Sequence, residues 1–183
     1  MPIREKAQLM SAAEIDRTLV RLAHEIVERN HGSDNVALIG IVRRGVPLSQ
    51  RLAERIEQIE KRKVPIGRLE ITLYRDDLST VGPQPVVKQR QLDFPVDGKT
   101  VILIDDVLYT GRTIRAAMNA LFECGRPARV QLCVLIDRGW RELPIEATYV
   151  GRQVQTAANE IIECRLREVD NEERVMLVEK LPD

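Results

Sequence analysis

Aromatic side chains are scarce: two Phe, three Tyr and one Trp, or 3% of 183 residues. A nucleic-acid reader that stacks bases on a sheet of exposed rings needs more than that. Cysteine is equally sparse. Cys124, Cys133 and Cys164 are odd in number, form no Cys-x-x-Cys pair and sit among apolar neighbours, so the expectation is small core residues and no zinc or disulfide framework. The chain also lacks any apolar run near the roughly 20 residues that cross a bilayer. Its first residues, MPIREKAQLM, lack the continuous apolar segment of a secretory signal. No membrane role and a cytoplasmic location are therefore expected. Finally, charge of one sign is missing: 28 Lys+Arg balance 28 Asp+Glu for a formal net charge of +0. A chain that coats nucleic acid without sequence preference is usually strongly basic. Any nucleic-acid partner must then be met by a local patch.

What is present is enough chain for one domain with a sizeable core, residues 1–183. Ser11 followed by Glu14 fits a capping box, and Ile15, Leu19, Leu22 and Ile26 recur at helical spacing until Asn30 and Gly32. The other side of that helix carries Arg17, Arg21 and His24 on one stripe, interleaved with Glu25 and Glu28. Val36–Ile41 reads as a buried strand and Pro47 opens a second helix to about Glu60. Ile66–Tyr74 reads as strand. Residues 75–98 form a long stretch rich in Pro, Asp, Gln and Gly, and a loop of that length usually moves or binds something. Val101–Ile104 is an apolar strand, Thr113–Cys124 a helix closed by Gly125, and Val130–Ile136 another apolar strand. Strands alternating with helices predict an α/β core with a mainly parallel twisted sheet flanked by helices. Beyond Asp137 no convincing helix follows. Ile162-Cys164-Leu166 alternates, 168–173 is turn-like, and Val175–Val178 suits the return strand of a hairpin.

The specific chemistry converges on residues 101–113. Four apolar residues bury a strand, and Asp105 and Asp106 emerge at its carboxyl end, where open α/β sheets place their ligands. Thr110-Gly111-Arg112-Thr113 then turns into a helix start, so backbone N–H groups, two hydroxyls and the helix dipole face one volume suited to a phosphate monoester. Carboxylates beside a phosphate cradle suit a sugar phosphate. An acid pair closing a strand also occurs in receiver domains, where it binds metal, but those have no use for the Thr-Gly-Arg-Thr loop.

The run from Val101 to Thr113 resembles the phosphoribosyl pyrophosphate (PRPP) signature of the type I phosphoribosyltransferases. Glu70–Leu78, Arg51–Glu57 and Asp137–Ile145 extend the resemblance to a branch of pyrimidine operon regulators that are also uracil phosphoribosyltransferases. The resemblance implies that fold, with a small C-terminal hood and β-hairpin over about 138–183, and a flexible flap over about 75–98. It implies uracil and PRPP giving UMP and pyrophosphate, with magnesium carried mainly by PRPP and no dedicated protein metal site. By position, Asp105 and Asp106 are the catalytic acids, and Asp105, Asp106, Val107, Leu108, Tyr109, Thr110, Gly111, Arg112 and Thr113 bind PRPP. Arg43, Arg44 and Gly45 take the pyrophosphate. Tyr74, Arg75, Lys88 and Arg90 belong to the flap, and Asp137, Arg138 and Val150 to the uracil pocket.

The same resemblance implies a UMP-dependent contact with pyrimidine operon leader mRNA, made by Arg21, His24, Arg29 and Arg141 on a homodimer or higher homo-oligomer. Val20, Trp140 and Glu146 stand where RNA-binding members often have Thr, His and Arg. The anion at Glu146 should weaken RNA binding. The alternative implied reading is a uracil salvage enzyme with weak or lost RNA binding.

Overall fold

The computed structural model describes residues 2–72 and 86–182. In chain order the elements are β1 (Ile3–Ser11), α1 (Ala12–Arg29), β2 (Val36–Ile41), α2 (Gly45–Glu60), β3 (Ile66–Thr72), β4 (Val86–Gln91) and β5 (Thr100–Leu108). Then follow α3 (Arg112–Cys124), β6 (Arg129–Asp137), β7 (Tyr149–Gln153), β8 (Glu160–Arg165), α4 (Arg167–Asp170) and β9 (Arg174–Lys180).

The strands with continuous apolar sequence become the centre of a six-stranded sheet, ordered β4-β3-β2-β5-β6-β7. β3, β2, β5, β6 and β7 run parallel, and β4 alone is antiparallel, at the β3 edge. All six residues of β2 are buried, as expected for a strand covered on both faces. One face is packed by α1 and α2 through Ile15, Leu22, Ile26, Leu48, Leu52 and Ile56. The other is packed by α3 through Ile114, Ala117, Ala120 and Leu121. Cys133 and Cys164 are buried in the first of these clusters, and burial pushes the Cys133 thiol up to about 12.

The start of α1 follows its sequence signal. Ser11 accepts from the Glu14 backbone N–H at 3.3 Å, and the Glu14 carboxylate accepts from the Ser11 N–H in return. The C-terminal hairpin is also where alternation placed it, β8 pairing antiparallel with β9.

Four features depart from the sequence expectation, the first being that Arg167–Asp170, in a stretch expected to be turn-like, forms the one-turn helix α4. β1 pairs with β9 to make a separate three-stranded sheet, β1-β9-β8, although residues 3–11 gave no strand signal. The stretch expected as an open loop over 75–98 contains strand β4, which registers Arg68 against Gln91 and Thr72 against Val86. β7, which the pattern after Asp137 did not reveal, adds a fifth parallel strand beside β6.

Candidate active site

The site is built where β5 ends. Val101–Ile104 are buried, and Asp105 and Asp106, the next two residues of the same strand, are half-buried. Each carboxylate folds onto the backbone beside it. Asp105 Oδ1 accepts the Asp106 N–H at 2.9 Å, and Asp106 Oδ1 accepts the Val107 N–H at 2.8 Å. Burial first, and the neighbouring Asp106 charge second, hold the Asp105 carboxyl well above the usual carboxylate range.

After Leu108 the chain turns. Gly111 takes a positive φ of 93°, the conformation that lets α3 begin at Arg112. Thr110 Oγ1 accepts the Arg112 N–H at 3.3 Å, so the loop hydroxyl already lies against the helix N-terminus. The loop is fixed from outside by residues 138–145. Thr110 O accepts from the Glu142 N–H at 3.0 Å, and Leu108 O from the Arg138 N–H at 3.1 Å. Arg112, largely exposed, pairs with Glu142 at 2.8 Å.

The segment Arg43-Arg44-Gly45 lies against this strand end. Val42 N–H donates to Leu69 O at 2.9 Å, the Val42–Arg43 peptide is cis, and α2 starts directly at Gly45. A Cβ on Gly45 would stand 2.2 Å from Ile104 O and 3.4 Å from Asp105 Cα. Only glycine permits this approach, and it brings two separately predicted groups, 43–45 and 105–106, into one place. Arg43 is exposed. Arg44 is half-buried and paired with Asp170.

On the β6 side, Asp137 and Arg138 close the strand. The Arg138 guanidinium stacks over the Tyr109 ring at 3.9 Å and donates to Thr156 Oγ1 and Glu160 O at 3.1 and 2.9 Å. Burial lowers its proton affinity. Trp140 Nε1 donates to Thr156 O at 2.7 Å. Thr156, Trp140 and Glu160 were not among the predicted site residues; a lone Thr and a main-chain carbonyl carry no motif that could have flagged them.

Two predicted residues fall elsewhere. Val150 does not reach the strand ends. It registers against Val134, three residues below Asp137, and packs against the core, while Gln153 is the residue beside Asp137. Val150 was placed by resemblance alone, and the register of β7, which sets Gln153 three residues further along beside Asp137, cannot be read from sequence. Arg141 does not join the stripe on α1. Its guanidinium donates to Tyr109 O, Ile145 O and Asp137 Oδ2, each at 2.7 Å, and so staples the loop after β5 to the loop after β6.

Of the flap residues, Tyr74 and Arg75 lie outside the described residues. Lys88 and Arg90 fall on β4, and Arg90 is paired with Glu123 near the carboxyl end of α3. That end is about 16 Å along the helix from Arg112, at 1.5 Å per residue. In this structure Arg90 is therefore engaged away from the 110–113 loop.

Arg21, His24 and Arg29 are exposed on α1 as expected. Arg21 donates to Gly151 O at 2.5 Å and to Glu25 at 2.7 Å. A groove of about 490 Å³ runs between α1 and β7, lined by Arg17, Arg21, Thr18, Gly151 and Arg152. The cation that joins this face is Arg152 of β7, not Arg141. Glu146 and Trp140 are exposed.

No group of three or more His, Cys, Asp and Glu side chains converges as a metal site among the described residues. The acid pair does offer hard oxygen donors, which fits a magnesium ion that arrives mostly ligated by its substrate.

The phosphoribosyl transferase domain family matches residues 8–168, and the chain belongs to that family. Solved structures with the same fold include hypoxanthine phosphoribosyltransferase from Trypanosoma cruzi, at TM-score 0.76 and 19% identity, covering 96% of this chain and 92% of that one. A hypoxanthine-guanine phosphoribosyltransferase from Bacillus anthracis has TM-score 0.74 and 19% identity, covering 98% of this chain and 100% of that one. Curated relatives are much nearer. The bifunctional protein PyrR of Pelotomaculum thermopropionicum is 58% identical over 96% of this chain and 97% of its own. That of Thermus aquaticus is 53% identical over 97% and 98%. Within the family, these relatives put the chain in the PyrR group.

Proposed function

We propose that this protein transfers the phosphoribosyl group of PRPP to uracil, forming UMP and pyrophosphate, and that UMP at the same site governs its binding to pyrimidine operon leader RNA. The apposition of 43–45 to Asp105-Asp106 carries the first half. A diphosphate held by a guanidinium loop on one side and a ribose held by two acids on the other straddle the bond that must break.

In the reaction the C1′–O bond to pyrophosphate breaks, the C1′–N1 bond to uracil forms, and the N1 proton is released. Asp105 and Asp106 hold the ribose 2′- and 3′-hydroxyls and steady the positive charge that develops at C1′. The Thr110–Thr113 turn and the α3 N-terminus receive the 5′-phosphate. Arg43 and Arg44 give paired N–H donors to the pyrophosphate, which leaves as an anion. A magnesium ion, held mainly by PRPP with Asp105 and Asp106 as the nearby oxygen donors, would neutralise part of that charge. The base is received at the carboxyl end of β6, beside Asp137 and the Tyr109–Arg138 stack.

The α1 stripe with Arg152 supports the RNA half. Arg17, Arg21 and Arg152 set three cations against Glu14 in one groove, while Arg29 and His24 extend the face along the helix. A homodimer is the assembly expected to join two such faces.

Incubation with uracil, PRPP and magnesium should yield UMP. A gel shift with the leader RNA, repeated at rising salt with and without UMP, should give a UMP-dependent complex whose affinity falls linearly in log–log form. Absence of UMP formation would remove the enzymatic reading. A shift that ignores UMP would remove the regulatory one.

A further inference from the structure

Arg44 stands in the short loop beside the acid pair, yet its partner comes from the far end of the chain. Asp170, the last residue of α4, is 126 residues away in sequence. Arg44 Nε donates to Asp170 Oδ2 at 3.0 Å and Nη2 donates to Oδ1 at 2.6 Å. This fork-on-fork pairing occupies one edge of the guanidinium. A guanidinium has five N–H donors, so the Nη1 side is left for another acceptor. The side chain remains 31% exposed, and Asp106 is near enough to attract it electrostatically.

Asp170 is itself held firmly. Its Oδ2 also accepts the Leu166 N–H at 2.8 Å, and its own N–H donates to Leu166 O at 2.7 Å. The flanking turn is anchored on α2, where Arg51 donates to Glu168 Oε1 and Oε2 at 2.9 and 2.7 Å and to Glu173 Oε2 at 2.9 Å. Glu173 Oε2 in turn accepts the Arg167 N–H at 2.9 Å. Ion pairs on both sides of Asp170 therefore fix the turn on the same helix that begins at the 43–45 loop.

We infer that Asp170 is a positioning residue: it orients Arg44 so that the free edge of the guanidinium meets the pyrophosphate group of PRPP. The inference rests on the reading of residues 43–45 as the pyrophosphate loop. A long flexible side chain loses rotamer freedom when it engages a ligand, and pre-orientation removes that loss from the binding step. Because Asp170 grips the Nε edge, it aims Arg44 without competing for the opposite edge.

The test compares Asp170→Asn and Asp170→Glu with the parent protein. Asp170→Asn keeps the shape but removes the charge and one acceptor; Asp170→Glu keeps the charge. Titration calorimetry with magnesium pyrophosphate, and separately with UMP, is combined with steady-state kinetics. Asp170→Asn should weaken pyrophosphate binding and raise the KM for PRPP by about tenfold, the loss of one charge-assisted pair. UMP affinity and kcat should stay within about twofold, and Asp170→Glu should recover part of the loss. In an Arg44→Lys background, Asp170→Asn should add less than about twofold, because the fork it orients is gone.

Unchanged pyrophosphate affinity in Asp170→Asn would overturn the inference. So would tighter binding, which would make Asp170 a competitor, or an equal loss for UMP and pyrophosphate, which would reflect a general loosening of the fold. Calorimetry needs no turnover. A parent protein that binds pyrophosphate but makes no UMP would sink the uracil reaction and leave this inference standing; one that does not bind pyrophosphate would sink the inference.

Discussion

Replacing Gly45 by alanine tests whether the 43–45 loop and the acid pair form one rigid unit. The new Cβ would lie 2.2 Å from Ile104 O, whereas ordinary contact begins at 3.4 Å. The two backbones must therefore part by about 1 Å, and because the obstacle is a main-chain carbonyl of a buried strand, no side chain can yield instead. Overpacking of this kind costs about 1–3 kcal/mol. Gly→Ala near a helix start would otherwise stabilise by about 0.4–1 kcal/mol through the unfolded chain. A net loss of roughly 1–2 kcal/mol remains, which for a chain of this size lowers Tm by roughly 2–8 °C. Turnover should fall much further, since a 1 Å misplacement of a positioned group costs about 10²-fold. The assay is UMP formation over a range of PRPP concentrations, alongside thermal unfolding. A Gly45→Ala protein with parental kcat/KM for PRPP would refute the reasoning, because the loop would then have moved without consequence for the site.

Asp105→Asn should abolish UMP formation yet raise thermal stability at neutral pH. The Asp105 pKa is raised by folding, so the folded state binds more protons and stability falls as pH rises from the ordinary carboxylate range through the raised value. The gain in Tm should thus be present at pH 7 and vanish below about pH 4; a variant no more stable than its parent at pH 7 would count against an acid whose charge is disfavoured by desolvation and by Asp106. Arg152→Gln and Arg141→Gln should separate the two functions. The first should weaken RNA binding and reduce the log–log salt slope by about 1, with kcat unchanged in the uracil assay. The second releases the loops at Tyr109 and Ile145 and should lower kcat by about tenfold or more with the salt slope intact; a reversed pattern would restore Arg141 to the RNA face.

The parts legible in the sequence are those whose neighbours in space are neighbours in the chain. The β5–loop–α3 unit is continuous over residues 100–124, with burial, acids and turn residues in order, so its place and chemistry could be read directly. The capping box of α1 is likewise local. β1 was invisible because six of its nine residues are exposed and its strand conformation comes from pairing with β9 across the whole chain. The ties of Arg141 to Tyr109, Ile145 and Asp137 were not legible because a basic residue carries no mark of the loop it will tie down. Arg44 lies in the short loop beside the acid pair, but nothing in the sequence connects it with Asp170. Register decided Val150: which residue of a short strand reaches the mouth depends on where it meets its neighbour.

β1 has one more consequence, and it concerns behaviour in concentrated solution. A hairpin of β8 and β9 alone would offer the β9 edge as a template for another molecule's strand. β1 covers that edge, and its own outward run begins Ile3-Arg4-Glu5-Lys6, three consecutive charges. Arg4 pairs with Glu179, Glu5 with Arg174 and Lys6 with Glu160. The charges that hold the strand down also make its free side a poor surface for strand-to-strand association, so the N-terminal segment acts as a guard against aggregation.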